Sequence, residues 1–212
     1  MTSGTKSEND LPTQLRCEEV RYRREPSLPL LCVPACLNMI LTRRGYPPIS
    51  QADIARQLGL VVPQRLRDTY PFAEISETFL DWGIRPVTAE ARIKSILRER
   101  APTLHHTFRG WQEVPTSSQL EFIAEHLTRG NDVAVGFRAS DIYDDAQPVG
   151  HVALIVDLDS RAELVRLMDP EVGTQEGVVV SWHRLLSGVM AVRDGYWLFG
   201  ENAPLLEARF AL

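Results

Sequence analysis

A thiol, an imidazole and a carboxylate in this chain have the types and surroundings to act together on a carbonyl group: Cys32, His151 and Asp169. Cys32 opens the run Cys32-Val33-Pro34-Ala35-Cys36-Leu37-Asn38-Met39-Ile40-Leu41, which reads as a helix. Pro34 suits a first turn, the apolar residues that follow fill the interior, Arg43 and Arg44 sit in the last turn and Gly45 stops it. A thiol at the N-terminal edge of a helix faces unpaired N–H groups and the positive end of the macrodipole. Both favour thiolate over thiol, which is what a nucleophile needs. The same N–H groups could also hold part of a developing oxyanion. Cys36, one turn further in, reads as a small core hydrophobe instead. Cys17 falls in a predicted loop with no evident role.

His151 begins the apolar run HVALIVD, and the next run of strand type, ELVRLMD, ends at Asp169. A hairpin turning at Ser160 pairs residues whose numbers sum to 320, and 151 and 169 satisfy that. The two side chains would then share a face with Cβ atoms about 4.5–5.5 Å apart. A carboxylate there orients the imidazole and stabilises its cation, completing a nucleophile–base–orienter set. The inference depends on register, because a one-residue slip sends the partners to opposite faces.

Rival chemistry is weaker. Cys32 and Cys36 have the spacing of half a zinc site, but no second pair follows, and the adjacent His105 and His106 would not both reach one ion. No metal and no cofactor is therefore expected. His126 is placed on the solvent face of a helix, and His183 at the surface or at a helix start. The acidic run Asp141–Asp145 would lie near the mouth of the site as solvated surface, or, functionally, as a preference for basic residues in a substrate.

Several elements must position these groups. Ser50–Gly59 reads as a second helix with Ser50 as N-cap and Gly59 as C-cap. Residues 73–82 read as a third, ended by Gly83. Arg85–Val87 reads as a short strand, Ala91–Arg100 as a helix, and 101–117 as ambiguous. Ser118–Arg129 is a helix closed by Gly130, and Asp132–Phe137 a buried strand. An extended piece around Val20–Arg23 precedes Pro26 and Pro29, which keep the approach to Cys32 non-helical. From residue 150 onward HVALIVD, ELVRLMD, GVVVSW and GYWLFG are strand-type runs divided by turns. Helices first and an antiparallel sheet later is the α+β order. Residues 1–14 are polar and predicted disordered, and 15–212 are read as one domain, helical over about 30–130 and sheet over about 131–205.

The 212 residues are 44% hydrophobic, 24% charged and carry a net charge of −5, as an ordinary globular protein does. The basic residues form no run, so no nucleic-acid partner is expected. The longest apolar stretch, Leu28 to Leu41, is broken by prolines and falls short of the roughly 20 residues a spanning helix needs, so no membrane partner is expected either. With no secretory signal and an odd number of cysteines, a reducing cytoplasm is the expected location.

The segment Leu31-Cys32-Val33-Pro34-Ala35-Cys36-Leu37, continuing to Arg44-Gly45, resembles the Cys-Gly-Pro-Ala-x-Leu…Gly segment of papain-like cysteine peptidases. The closest likeness is to the branch of the double-glycine leader peptidases of bacteriocin export and their stand-alone relatives. SQADIARQLGL resembles that branch's second helix, and GHVALIVDLD…VRLMDPEVG its His strand and Asp-Pro strand end. The resemblance implies a helical subdomain carrying the cysteine packed on an antiparallel sheet carrying His and Asp. It implies Cys32 as nucleophile, His151 as general base and Asp169 as orienter, acting on a peptide or protein substrate. Two positions depart from the pattern. The Gln some six residues before the cysteine, an oxyanion donor, is replaced by Pro26 beside Glu25, and an ionised carboxylate donates nothing. The Gly after the cysteine is Val33, a side chain that would narrow the cleft. The expected activity is cysteine-peptidase or related acyl-transfer hydrolysis. A papain-like binding protein without turnover, and an amide-forming acyltransferase on the same three residues, are the alternatives.

Overall fold

A computed structural model describes residues 15–16, 22–78, 81–144, 146–173 and 177–202. The predicted tail over residues 1–14, Cys17, the first two residues of the Val20–Arg23 piece and Asp145 lie outside the described residues. In chain order the elements are β1 (Leu15–Arg16), α1 (Cys32–Arg43), α2 (Gln51–Leu58), β2 (Val61–Val62), β3 (Glu74–Ile75), α3 (Pro86–Arg100), β4 (His105–Gly110), α4 (Gln119–Thr128) and β5 (Asp132–Arg138). They continue with α5 (Ala139–Ile142), β6 (Gly150–Asp159), β7 (Leu164–Met168), β8 (Val178–Ser181), α6 (Trp182–Val192) and β9 (Gly195–Gly200).

The helix-end chemistry works as the residue types require. The Ser50 hydroxyl accepts the Asp53 N–H at the start of α2, and Gly59 closes that helix in the left-handed region at φ 78°. In α1 every residue from Val33 to Leu41 is buried. A helix apolar on all sides belongs inside the molecule.

The described residues of 73–82 do not form the predicted helix. Glu74 and Ile75 pair in parallel with Val61 and Val62, the Glu74 N–H donating to Leu60 O and the Ser76 N–H to Val62 O. The Ser76 hydroxyl then donates to Asp81 and accepts the Thr78 N–H, and Trp82 Nε1 donates to Ser76 O. Local serine hydrogen bonds of this kind compete with a helical ladder. Arg85–Val87 is not a strand: Pro86 opens α3, where its fixed φ is pre-set for the first turn. The ambiguous stretch supplies β4, and the end of GVVVSW turns into α6 with Ser181 as its cap.

The main sheet is antiparallel, in the order β4-β9-β5-β6-β7-β8, with β1 pairing β6 at Asp157 and Leu158. Both of its faces are covered. Val152, Leu154, Ala134, Met168, Trp197 and Phe199 pack with α1 and α3, while Ala153, Ile155, Val135, Phe137, Leu167 and Leu198 pack with α4 and α6. That is why the strands read as continuous apolar runs rather than alternating ones. No helix among the described residues is long and apolar enough to cross a membrane.

A buried ion cluster ties α1 to the sheet. Asp132, with no exposed surface, begins β5 and accepts from Tyr22 Oη, Arg43 Nη1 and Arg44 Nε, the last at 2.9 Å. The C-terminal end of α1 is thereby anchored to the start of the central strand.

Gly136 in β5 has no room for a Cβ because the Asp194 carboxyl group presses on it. Burial pushes the Asp194 carboxyl up to about 7. A carboxyl whose folded pKa lies above its unfolded value contributes stability below the unfolded value and loses it as pH rises through the folded one. Asp194→Asn should therefore change little near pH 4 and stabilise increasingly up to pH 7 and above. The gain should reach about 2–4 kcal/mol, the full shift corresponding to roughly the upper figure. Urea titrations of both proteins at pH 4, 6 and 8 check this, and a difference that does not grow with pH refutes it.

Candidate active site

Cys32 is the first residue of α1 and is half-buried. The chain reaches it through Pro26 and Pro29 and then a tight turn, in which Leu30 takes a left-handed φ of 63° and the Leu31 N–H donates to Leu28 O. For leucine that conformation costs about 1–2 kcal/mol, sustained by Leu31, which is wholly buried. Ala35 N–H makes the first turn bond to Leu31 O. Pro34 has no N–H, so the donors at this helix end are the Cys32 and Val33 amides. One turn on, the buried Cys36 Sγ donates to Val152 O at 3.5 Å, which sets the start of α1 beside the start of β6. Burial pushes the Cys36 thiol well above its ordinary value, as a core cysteine requires.

His151 is the second residue of β6 and 5% exposed. Its Nε2–H donates to Asp169 Oδ2 at 2.8 Å, and Asp169 has no exposed surface. The predicted juxtaposition therefore forms, but not by the predicted register. In the hairpin Asp159 pairs with Leu164 and Leu158 with Val165, numbers that sum to 323, and after a bulge at Val156 the pairs Ile155–Leu167 and Leu154–Met168 sum to 322. Extended one pair further, Asp169 opposes Ala153, two residues from His151 and on the same face. Without the bulge it would oppose Leu154 and point to the other face. His151 and Asp169 meet as diagonal neighbours across the end of the ladder.

Burial alone would lower the basicity of His151. The Asp169 hydrogen bond, the Cys32 side chain and the Asp169 charge outweigh it and hold the imidazole well above its ordinary value. Asp169 shows the converse balance: burial raises it, while the His151 bond and charge, the Tyr143 hydroxyl and the Val172 amide bring it below the usual carboxylate range. With Nε2 committed to Asp169, Nδ1 is the nitrogen left for the thiol. Glu171 Oε2 stands 3.9 Å from that nitrogen.

Two residues that the sequence gives no reason to single out hold this arrangement. The Tyr143 hydroxyl donates to Asp169 Oδ2 at 2.6 Å. Arg24 Nε donates to Asp169 O at 2.8 Å and its Nη2 to Pro170 O at 3.0 Å, and the Ser27 N–H also reaches Pro170 O. The approach to Cys32 is thus stitched to the Asp169 turn over more than 140 residues of sequence, a contact that no local pattern announces.

Other candidates take different places. Val33 does not narrow the cleft. It is buried in the core with Leu37, Ile40, Ile93 and Val152, because the first turn of α1 faces it toward the sheet. Glu25 Oε1 accepts from Asn38 Nδ2 at 3.0 Å and Gln51 Nε2 at 2.7 Å, and Gln51 Nε2 also donates to Pro26 O. The carboxylate is engaged by amides, and Gln51 is committed to this segment. His126 is not on a solvent face. It is 3% exposed, packs edge-on against Phe122 one turn earlier and bonds Asn131, because the 122–126 spacing puts it on the core stripe of α4. His183 is exposed and pairs with Glu163. His105 is exposed while His106 is buried against Phe199, as adjacent strand residues must diverge. Among the described residues no metal-ligating cluster forms. Asp141 accepts from Arg138 and Asp144 from Arg184, so the described carboxylates of the acidic run already have cationic partners.

No family model matches the sequence, and no curated protein is similar to it. Among solved structures, 18 chains are similar. One is the crystal structure of a Bacillus anthracis protein described as a presumed C39-like peptidase, with a TM-score of 0.59 over 89% of this chain and 98% of that one at 12% identity. At that identity the likeness establishes the fold: an α+β, papain-like arrangement with Cys32 in the N-terminal helix.

Proposed function

We propose that this protein is a papain-like cysteine peptidase, or a related thiol acyl-transfer hydrolase, working on peptide or protein substrates through Cys32, His151 and Asp169. The observation that carries the reading is the pairing of a buried imidazole, held by a fully buried carboxylate, with a cysteine at the start of a helix. The finer kinship to the double-glycine leader peptidase branch rests on the short segments around those three residues.

In the proposed reaction Nδ1 of His151 takes the Cys32 proton and Sγ attacks the amide carbonyl carbon. A C–S bond forms as the carbonyl π pair moves onto oxygen, where the Cys32 and Val33 N–H groups can meet it. Collapse of that intermediate breaks the C–N bond, and the departing amine takes the proton from Nδ1. Water then attacks the thioester, giving a proton to His151, and the C–S bond breaks to release the acid and the free thiol. Asp169 stays ionised throughout and steadies the imidazolium. An amine in place of that water would turn the same steps into amide formation.

The test is site-resolved alkylation by iodoacetamide at pH 6, comparing the native chain with His151→Gln. An ordinary thiol is only about 0.3% thiolate there. Cys32 of the native chain should label at least about tenfold faster than in the variant, with buried Cys36 as internal control. Equal rates would remove the nucleophile from the proposal and leave a papain-like binding protein.

A further inference from the structure

The Asp169 carboxylate has four lone-pair positions, and the structure fills each of them. Oδ1 accepts the Glu171 N–H at 2.7 Å and the Val172 N–H at 2.9 Å, both from the turn that Asp169 itself begins. Oδ2 accepts His151 Nε2–H at 2.8 Å and the Tyr143 hydroxyl at 2.6 Å. Tyr143 comes from elsewhere, the connection between β5 and β6. Its ring packs edge-on against Phe137 at 6.3 Å, and Phe137 packs edge-on against His151 at 5.4 Å. The phenol therefore touches the carboxylate directly and the imidazole through one intervening ring.

We propose that Tyr143 is a positioning residue for this site: its hydroxyl shares Oδ2 with the imidazole, fixing how that oxygen faces Nε2 and limiting the negative charge presented to the ring. The inference rests on the peptidase reading above and adds a fourth side chain to it. The two edges of the carboxylate have separate duties. Backbone amides hold Oδ1 to its own turn, whereas among the described residues Oδ2 is held by the side chains of His151 and Tyr143. The charged and titratable groups facing His151 are Cys32 from α1, Asp169 and Glu171 from the turn after β7, and Tyr143, which acts through Asp169. Arg24 meets the same turn at its backbone carbonyls.

The sign of the effect follows. Without the phenol, Oδ2 carries more unshared charge toward Nε2–H, so the imidazolium is held more tightly. Tyr143→Phe, which keeps the ring against Phe137, should move the His151 titration midpoint upward by about half to one pH unit, since a hydrogen bond to a charged group is removed. Histidine-labelled NMR titration reads this, the His151 signal being assigned by its loss in His151→Gln. In an Asp169→Asn background the same substitution should move the midpoint by less than about 0.2 unit, because no charge remains to be shared. A role confined to packing would alter thermal stability without moving the midpoint. An unchanged or lowered midpoint in Tyr143→Phe, or an equal shift in the Asp169→Asn background, overturns the inference. Cys32→Ala separates this failure from failure of the functional reading. If it lowers the His151 midpoint while Tyr143→Phe does nothing, only the role of Tyr143 is lost. If it too does nothing, Cys32 and His151 are uncoupled and both readings fall.

Discussion

His151→Gln is expected to slow hydrolysis of an unfolded casein substrate by about 10²–10⁴-fold while leaving the chain folded. Glutamine is the informative replacement because its side-chain amide can still donate to Asp169 Oδ2, so the buried carboxylate keeps a partner. What it cannot do is accept the Cys32 proton or return it to the leaving amine. The loss should appear in kcat and in kcat/KM alike, since proton transfer belongs to the transition state rather than to substrate binding. The raised basicity of His151 adds a sign in pH. The imidazolium contributes stability that is present below its unfolded value and is lost as pH rises through the folded one. The variant should therefore lose relatively more stability at pH 6 than at pH 9. A variant retaining more than a tenth of native activity would exclude His151 as the base.

The largest effect on stability is expected at Asp132. Arg43 and Arg44 have side chains only 9% and 15% exposed, and both direct guanidinium nitrogens at this one wholly buried carboxylate. Asp132→Ala removes the acceptor that both cations and the Tyr22 hydroxyl share, leaving Arg44 only Gly130 O and the exposed Glu201 among the described residues. Removing one partner of a buried charge cluster costs about 3–5 kcal/mol. Chemical denaturation measures it, and a loss below about 1 kcal/mol would mean that the cluster is solvated. Because the same cluster seats the C-terminal end of α1, whose first residue is Cys32, native-like alkylation of Cys32 at pH 6 should weaken along with stability. Asp132→Asn, retaining acceptor capacity but no charge, should fall between the two.

The resemblance at Cys32, His151 and Asp169 is short and local, yet the fold bonds His151 to Asp169 and sets the Cys32 side chain where it acts on that imidazole. Strand type and helix type were legible at several places where burial is complete or a cap is present, though α6, capped by Ser181, was missed. The run from Val33 to Leu41, the Ser50 and Gly59 ends of α2 and the apolar β5, β6 and β9 are such places. Residues 73–82 misled because the apolar spacing suits a helix while Ser76 offers the backbone other bonds. Pro86 carried a readable helix-start signal that the spacing of its neighbours masked. His126 was misplaced because one helical face grades into the next, and only the packing of α4 on the sheet decides which side a boundary residue takes.

By itself the sequence determined the position of Cys32 at a helix start, the strand runs that bring in His151 and Asp169, and the burial of β5, because these follow from short-range sterics, capping and the burial of apolar runs. Tertiary structure alone decided the bulge at Val156 that turns Asp169 to the face of His151, the Arg24 strap, the engagement of Glu25 and the fourth donor from Tyr143. Those depend on contacts between residues far apart in the chain. Their energies are settled by where whole elements come to rest, and no local preference of a single residue encodes that.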